Sequence, residues 1–298
     1  LKIEDSIKYA KVWDSISPFI KIGAMEDEKF AEQIEDIILF PTKISNQSSD
    51  TLKNDDDLIQ TEDNCYTTIK SYLNRVSTEK QKRIIYCTDE ISQRNALNLW
   101  TSQNCEVLMT ESVIDAQFIP WIEAKNTELK FQRVDSELDS SLQEDDNNQI
   151  VDIDGDSNAD NLRNLVKEAI NDEKITIQIQ SLKGENAPPA MILLPEQMRR
   201  INDIGALMEQ RLPGLPDHHV LVINKKHNLV EGLQKLNGSS VVVNSSGATS
   251  DASNLSKELV THLYDMAKLS VGGLEPNEIS GFQTRSSDLM GKLMKKIL

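Results

Sequence analysis

The sequence is poor in cysteine, in aromatic residues and in long apolar runs. Its three cysteines, Cys65, Cys87 and Cys105, lie far apart and show no C-x-x-C spacing. This excludes a disulfide framework or a cysteine zinc site, and we expect reduced thiols in a cytoplasmic protein. No apolar run approaches the roughly 20 residues that span a bilayer. We therefore expect no membrane partner.

Basic charge is also scarce. The 298 residues hold 32 Lys and Arg against 48 Asp and Glu, a formal net charge of −16. Such an excess of acid disfavours nucleic acid, whose phosphates are bound by cations. Most of the excess falls in residues 50–63 and 135–160, so the remainder is nearly neutral. The prediction of no nucleic-acid partner then depends on the lack of a basic patch.

Motifs that carry chemistry are missing as well. There is no G-x-x-x-x-G-K-[ST] loop, no G-x-G-x-x-G after a strand, no H-x-x-x-H pair and no G-x-S-x-G elbow. The acidic run at residues 152–156 fails the calcium-loop pattern, which needs Gly at position six and Glu at position twelve. We predict neither a catalytic site nor a metal site, and no cofactor for this chain.

The remaining pattern predicts two domains separated by an acidic segment. Residues 1–77 favour helices, and residues 78–134 alternate apolar strands with helices, which is typical of a small parallel sheet in an αβα layer. Residues 135–160 carry ten acids and no base, so we interpret them as a solvated linker. Residues 161–298 predict an α+β domain. Because the chain opens on Leu1 within an amphipathic pattern, we expect it to be the cut end of a longer protein.

The last two predicted helices each carry an apolar stripe. These stripes can fold back on their own domain, or pair with the same hairpin of a second copy in a four-helix bundle. The pattern alone leaves both options open. The residues that would form the interface are Leu255, Leu259, Leu263, Met266, Phe282, Leu289, Leu293 and Ile297.

A second amphipathic stretch lies at residues 198–212. Met198, Ile201 and Met208 share one helical face, whereas Leu207 falls off that face and would be exposed. Such a stripe usually packs on its own core. Methionine's flexible thioether also suits a surface that accepts many partners.

Four segments, in order, match one known family. The first is YLNRVSTEKQKRIIYCTDEIS at 72–92, and the second is residues 102–122, an E-V-L strand followed by an acidic helix with aromatics. The third is LPDHHVLVINKKHNLV at 215–230, and the fourth is GGLEPNEISGFQTRSSDLMGKLM at 272–294. Together they resemble the heat shock protein 90 chaperone family, whose pattern for the first segment is Y-x-x-R-M followed by I-Y-Y-(I/V)-T. The resemblance runs over nearly the whole chain. Residues 135–160 and 238–250 do not match the family closely.

This resemblance implies the later part of the family's middle domain (1–134) followed by the C-terminal dimerisation domain (161–298). It favours dimerisation through the terminal hairpin. It also implies client-protein binding through Met198, Ile201, Leu207 and Met208 and through the aromatic residues Phe118 and Trp121. The family's ATPase domain, with its ATP and Mg, would lie outside this chain, so we expect no ATP hydrolysis by it.

The sequence is also compatible with a second hypothesis, a small-ligand-binding protein or an enzyme. An αβα domain could bind a small ligand or act as an enzyme at the strand ends near Ile85 and Val107, fused to an oligomerisation domain. It predicts saturable binding of one small molecule. The chaperone reading predicts suppression of client aggregation without nucleotide.

Overall fold

The computed structural model describes most of the chain. The described residues are 5–44, 58–62, 64–76, 83–138, 142–143, 158–184, 186–195, 200, 218–242, 249–271 and 273–297. Within these ranges, no helix is both long enough and apolar enough to cross a bilayer. The chain divides into two compact units. The first comprises Leu1–Glu137 with Glu196–Arg211, and the second comprises Leu138–Pro195 with Leu212–Leu298.

The first unit is an αβα arrangement around one sheet. Its elements in chain order are α1 (Ser6–Glu26), α2 (Glu28–Ile34), β1 (Phe40–Lys43), β2 (Ile59–Gln60), β3 (Cys65–Thr67), α3 (Ile69–Arg75), β4 (Arg83–Cys87), α4 (Arg94–Ser102), β5 (Val107–Met109), α5 (Asp115–Lys125) and β6 (Lys130–Arg133). The strand order is β2-β3-β1-β5-β4-β6.

Only half of this sheet is parallel. β4 pairs in parallel with both β5 and β6, as the alternating pattern predicts, whereas β1 pairs antiparallel with β5 and with β3, and β3 pairs antiparallel with β2. The parallel sheet predicted for residues 78–134 is therefore confirmed, whereas the three antiparallel strands lie in residues 1–77, where only helices were predicted. β1 has four residues and contains Pro41, a residue that the sequence pattern marks as a helix stop.

The two N-terminal helices are joined by a shared capping residue. Asp27 ends α1, and its carboxylate accepts hydrogen bonds from the backbone N–H groups of Lys29 and Phe30 to begin α2. A carboxylate at this position satisfies free N–H groups of the first turn and interacts well with the helix dipole. Trp13 and Phe40 are among the largest side chains in the buried core below.

The start of the acidic segment is not a solvated linker. Asp135 is buried, and its carboxylate accepts a hydrogen bond from the buried Arg133 at 2.8 Å. In the second unit, Leu142 is buried and Gln143 forms a bridge with Leu182. These positions correct the predicted extent of the linker, because an ion pair and an apolar contact hold them in packed surroundings. Residues 144–157 lie outside the described part of the chain.

The second unit contains a three-stranded sheet and four helices among its described elements. These elements are α6 (Asn158–Ile170), β7 (Thr176–Gln180), β8 (Ala190–Leu193), β9 (Val220–Asn224), α7 (Asn228–Val242), α8 (Thr249–Ser270) and α9 (Pro276–Ile297). The strand order is β7-β9-β8, with β7 parallel and β8 antiparallel to β9. The fold class is thus α+β with an αβα first unit, as predicted.

An apolar cluster packs the sheet of the second unit against its helices. Ile192 and Leu221 from the sheet pack with Val166 of α6, Val230 of α7 and Val260 of α8. α8 contacts α6, α7 and β8, and α9 packs on α8. The terminal helix α9 therefore lies outside the core and presents much of its surface to solvent.

Candidate functional site: the aromatic helix α5 and the α8–α9 hairpin

Helix α5 carries the two aromatic residues predicted to bind client proteins, but in different environments. Phe118 is 0 % exposed and stacks on Phe40 and Trp121, with ring centroids 6.5 and 5.3 Å apart. The expectation that Phe118 is exposed is therefore corrected: it faces the core together with Ile119. Trp121 is half-buried, and the ammonium of Lys125 lies 4.8 Å from its ring centroid.

Trp121 thus combines an apolar body with a partly accessible face. Phe118 holds one face of the indole in place, and Lys125 lies over the ring as a cation–π partner. An anchored, partly exposed Trp is a residue type that often contributes strongly to protein contacts. Of the two predicted aromatics, only Trp121 offers such a surface.

A residue of the predicted amphipathic stretch is held next to this helix. Arg200 donates to Glu123 Oε2 at 2.6 Å, while Glu123 Oε1 accepts the backbone N–H of Phe131 at 2.7 Å. Sequence reasoning missed both members of this pair, because no local pattern links residues 77 positions apart. The predicted client-binding residues Met198, Ile201, Leu207 and Met208 lie outside the described part of the chain.

The hairpin of α8 and α9 is held by a series of polar contacts. Lys268 donates to both carboxylate oxygens of Glu278 at 2.5 and 2.7 Å. Arg285 pairs with Asp265, and Lys292 pairs with Glu258. These pairs align α9 antiparallel to α8 along nearly its whole length.

The predicted interface residues fall into three groups in this hairpin. Leu263 is buried in the core of its own unit, so it is removed from the predicted interface. Leu255, Leu259, Phe282 and Leu289 are half-buried. Met266 and Leu293 are exposed. The side chain of Ile297 lies outside the described part.

Further exposed apolar residues extend this set. Met290 and Met294 were not predicted, although they share a sector of α9 with Leu293 and with Ile279, a residue of the predicted apolar stripe, at 100° per residue. Leu269 of α8 is exposed as well. The signal that could have identified them is that residues 279, 290, 293, 294 and 297 are all apolar and fall within about 100° of the helix circumference. The hairpin thus presents an apolar surface that its own unit does not cover.

The family model described as Hsp90 protein matches residues 2–296. This match spans both the αβα unit and the α+β unit with its terminal hairpin, and it defines the chain as one of a chaperone family. The protein belongs to the heat shock protein 90 family. The comparison covers nearly the full sequence. The predicted family resemblance is confirmed.

Within this family, the chain is similar to bacterial proteins named chaperone protein HtpG. The chain is 25 % identical to chaperone protein HtpG of Porphyromonas gingivalis over 237 residues, covering 76 % of this chain and 32 % of that protein. It is 23 % identical to HtpG of Bacteroides thetaiotaomicron and 25 % identical to HtpG of Bacteroides fragilis, with the same coverage of 76 % and 32 %. The chain therefore spans about a third of the length of these relatives.

One solved structure is also similar, the middle domain of a heat shock protein of Plasmodium falciparum. It is 19 % identical, with a TM-score of 0.31, and the match covers 44 % of this chain and 48 % of that one.

Proposed function

We propose that this chain is a dimerising, client-binding part of a heat shock protein 90 chaperone, at the base of an ATP-dependent clamp. The observation that carries the proposal is the uncovered apolar surface of the α8–α9 hairpin. Its exposed members are Met266, Leu269, Ile279, Met290, Leu293 and Met294. Membership of the family supports the same function.

The shape of the hairpin supports dimerisation through this surface. α9 packs on α8, while its residues Leu293 and Met294 are 62 % and 61 % exposed. Exposed apolar patches of this kind mark interaction sites. Two such hairpins related by a twofold axis would bury both surfaces in a four-helix bundle.

Sedimentation of a double variant tests the dimer. We expect the unaltered chain to be dimeric at tens of micromolar and the Leu293→Ser/Met294→Ser variant to be largely monomeric. Phe19→Ser is the matched control, because Phe19 is strongly exposed on α1 and belongs to the first unit, whereas the hairpin belongs to the second. A monomeric unaltered chain, or an equal loss in the control, would contradict the proposal.

Client binding is proposed for Trp121 and for residues 198–208. The support is the anchored, half-buried indole and the amphipathic pattern of Met198, Ile201 and Met208, with the apolar Leu207 predicted to be exposed outside that face. The clients would be partly unfolded proteins with exposed apolar segments.

An aggregation assay without nucleotide tests this binding. We expect the chain to slow client aggregation and Trp121→Ser or Leu207→Ser to weaken the effect while sedimentation stays unchanged. Ile91→Ser is the control, since Ile91 is an exposed aliphatic residue in a loop of the first unit. Equal activity of Trp121→Ser and the unaltered chain would remove Trp121 from the proposal.

The chain itself is proposed to be neither an ATPase nor a cofactor-binding protein. ATP and Mg would act in the full-length chaperone, which we place in the cytoplasm as a homodimer without nucleic-acid or membrane partners. Specific ATP hydrolysis by this chain would contradict that assignment. The alternative of a small ligand at the strand ends near Ile85 and Val107 is not favoured. The cavity near the end of β4, lined by Tyr86, Thr88 and Asp115 among others, has a volume of about 20 Å³, whereas ligand pockets measure roughly 300–1,000 Å³.

A further inference from the structure

His262 and Phe282 join the two helices of the hairpin. The imidazole of His262 on α8 lies parallel to the Phe282 ring on α9, with centroids 5.0 Å apart and an interplanar angle of 6°. The stack lies beside the Asp265–Arg285 ion pair, which also joins the two helices. His262 is thus part of the contact that seats α9 on α8.

One nitrogen of this imidazole lacks a hydrogen-bond partner. Nδ1 of His262 is buried, and no described residue donates to it or accepts from it. In the neutral ring, Nδ1 can be a lone-pair acceptor, and an unsatisfied acceptor costs modest free energy. A protonated ring has an N–H donor at both nitrogens. It would place a charged, unsatisfied donor at this buried position, which costs considerably more.

The charged groups around His262 do little to stabilise its protonated form. Asp265 favours the protonated imidazole, but Arg285 opposes it and already pairs with Asp265. α6, α7 and β8 pack on the side of α8 that carries Val260 and Leu263. None of the described ionisable groups on those three elements shifts the pKa of His262. The other ion pairs of the hairpin, Lys268–Glu278 and Glu258–Lys292, are each internally paired.

We propose that His262 is an acid-sensitive latch of the α8–α9 hairpin. The neutral imidazole stacks on Phe282 and holds α9 in place. The protonated imidazole leaves the stack for solvent, and α9 loosens around Phe282 and Arg285. The inference concerns contacts within one copy of the chain and does not depend on the proposed dimer.

The pH window follows from the direction of the pKa shift. Burial lowers the pKa of His262 below its ordinary value of 6.5, with Asp265 opposing and Arg285 assisting. Above pH 6.5 the docked and undocked forms are both neutral, so the docking contribution is complete. As the pH falls below 6.5, the undocked form takes up the proton first, and docking weakens until the pH passes the pKa of the docked form.

The ion pair nearest the turn of the hairpin persists through this window. Lys268 and the backbone N–H of Glu275 hold the pKa of Glu278 below its ordinary value, although burial opposes them. Glu278 thus stays ionised while His262 titrates. Acidification to pH 5.5 therefore acts on the His262 stack and leaves the Lys268–Glu278 pair in place.

Hydrogen exchange of α9 in the full chain tests the latch. After correction for intrinsic exchange rates, we expect the protection of residues 276–290 to fall between pH 7.5 and pH 5.5, by at most about tenfold, the limit for one histidine with an undocked pKa of 6.5. His262→Phe keeps an aromatic ring for the stack but cannot titrate, so its protection should not change with pH. His218→Gln is the control, because His218 is an exposed histidine outside the hairpin, and it should behave like the unaltered chain.

Two results of the exchange experiment would overturn the proposal. One is a pH-dependent loss of α9 protection in His262→Phe equal to that in the unaltered chain, and the other is no loss in the unaltered chain. An NMR titration of the unaltered chain gives an independent answer if His262→Phe does not fold. A measured His262 pKa at or above 6.5 would also overturn the latch. The dimer constant, measured separately by sedimentation, keeps this result distinct from that of the proposed function.

Discussion

Lys21 and Asp115 form an ion pair inside the core of the first unit. The ammonium nitrogen of Lys21 lies 2.5 Å from Asp115 Oδ1, and the two side chains are only 3 % and 4 % exposed. The same ammonium lies 4.9 Å from the Phe40 ring centroid and 5.8 Å from that of Phe118. This pair joins α1 to the first turn of α5, the helix that carries Trp121.

Replacing the buried lysine alone should destabilise the first unit strongly. Lys21→Met leaves the Asp115 carboxylate buried without its cation, so we expect a loss of about 3–5 kcal/mol in the free energy of unfolding. Urea unfolding followed by circular dichroism measures it. The double variant Lys21→Met/Asp115→Leu should lose much less, since an apolar pair of similar volume needs no desolvated charge. A double variant as unstable as the sum of the single variants would contradict this account.

The loss of stability in the Lys21→Met variant should depend on pH. Burial already raises the pKa of Asp115, and Lys21 is the main opposing influence. Without Lys21, the folded variant holds the Asp115 proton to still higher pH than the unfolded chain does. Its stability therefore falls as pH rises through the folded pKa and recovers as pH is lowered towards 5. Unfolding at pH 5 and pH 8 checks this, and a deficit that grows on acidification would contradict it.

Cys87 should be unreactive in the folded protein. It ends β4 in the core, and burial raises its pKa to about 12. Because the thiolate is the reactive species, iodoacetamide at pH 8 should label Cys87 only in denaturant. Peptide mass spectrometry distinguishes it from Cys65 and Cys105, which are partly exposed. Labelling of native Cys87 as fast as Cys105 would show that this strand end opens readily.

Gly232 of α7 is expected to tolerate a side chain. A Cβ at this position would meet no atom of a neighbouring described residue within 4 Å, so Gly232→Ala should raise the free energy of unfolding by about 0.5–1 kcal/mol through lower backbone entropy of the unfolded chain. Gly23→Ala in α1 is the contrasting variant. There the Cβ would lie 3.0 Å from the Phe30 ring, so no gain is expected. Thermal unfolding of the two variants measures the difference.

Several elements follow directly from local sequence. The apolar runs of β4, β5 and β6 alternate with helices, and the stripes of α8 and α9 predict a terminal hairpin that the structure contains. These segments are long or strongly periodic, so the pattern carries the information. β2 and β3 have two and three residues, and so short a segment shows no periodicity.

Long-range polar pairs could not be predicted. Arg75 at the end of α3 makes a two-pronged contact with Glu106, with Nε to Oε2 at 2.9 Å and an Nη to Oε1 at 2.8 Å. Thr42 of β1 donates to the same carboxylate at 3.0 Å. Nothing in the local sequence marks Glu106 as buried, since each partner comes from a different element brought together by the sheet.

The sequence by itself determined the family, the alternation of strands and helices in the first unit, and the amphipathic terminal hairpin, because these depend on order and spacing along one segment. Only the tertiary structure decided that Phe118 is buried whereas Trp121 is partly exposed, that Leu263 belongs to the core of its own unit, and that His262 faces Phe282. Helical periodicity defines an apolar side but not which neighbour covers it, and that choice depends on packing between elements distant in sequence.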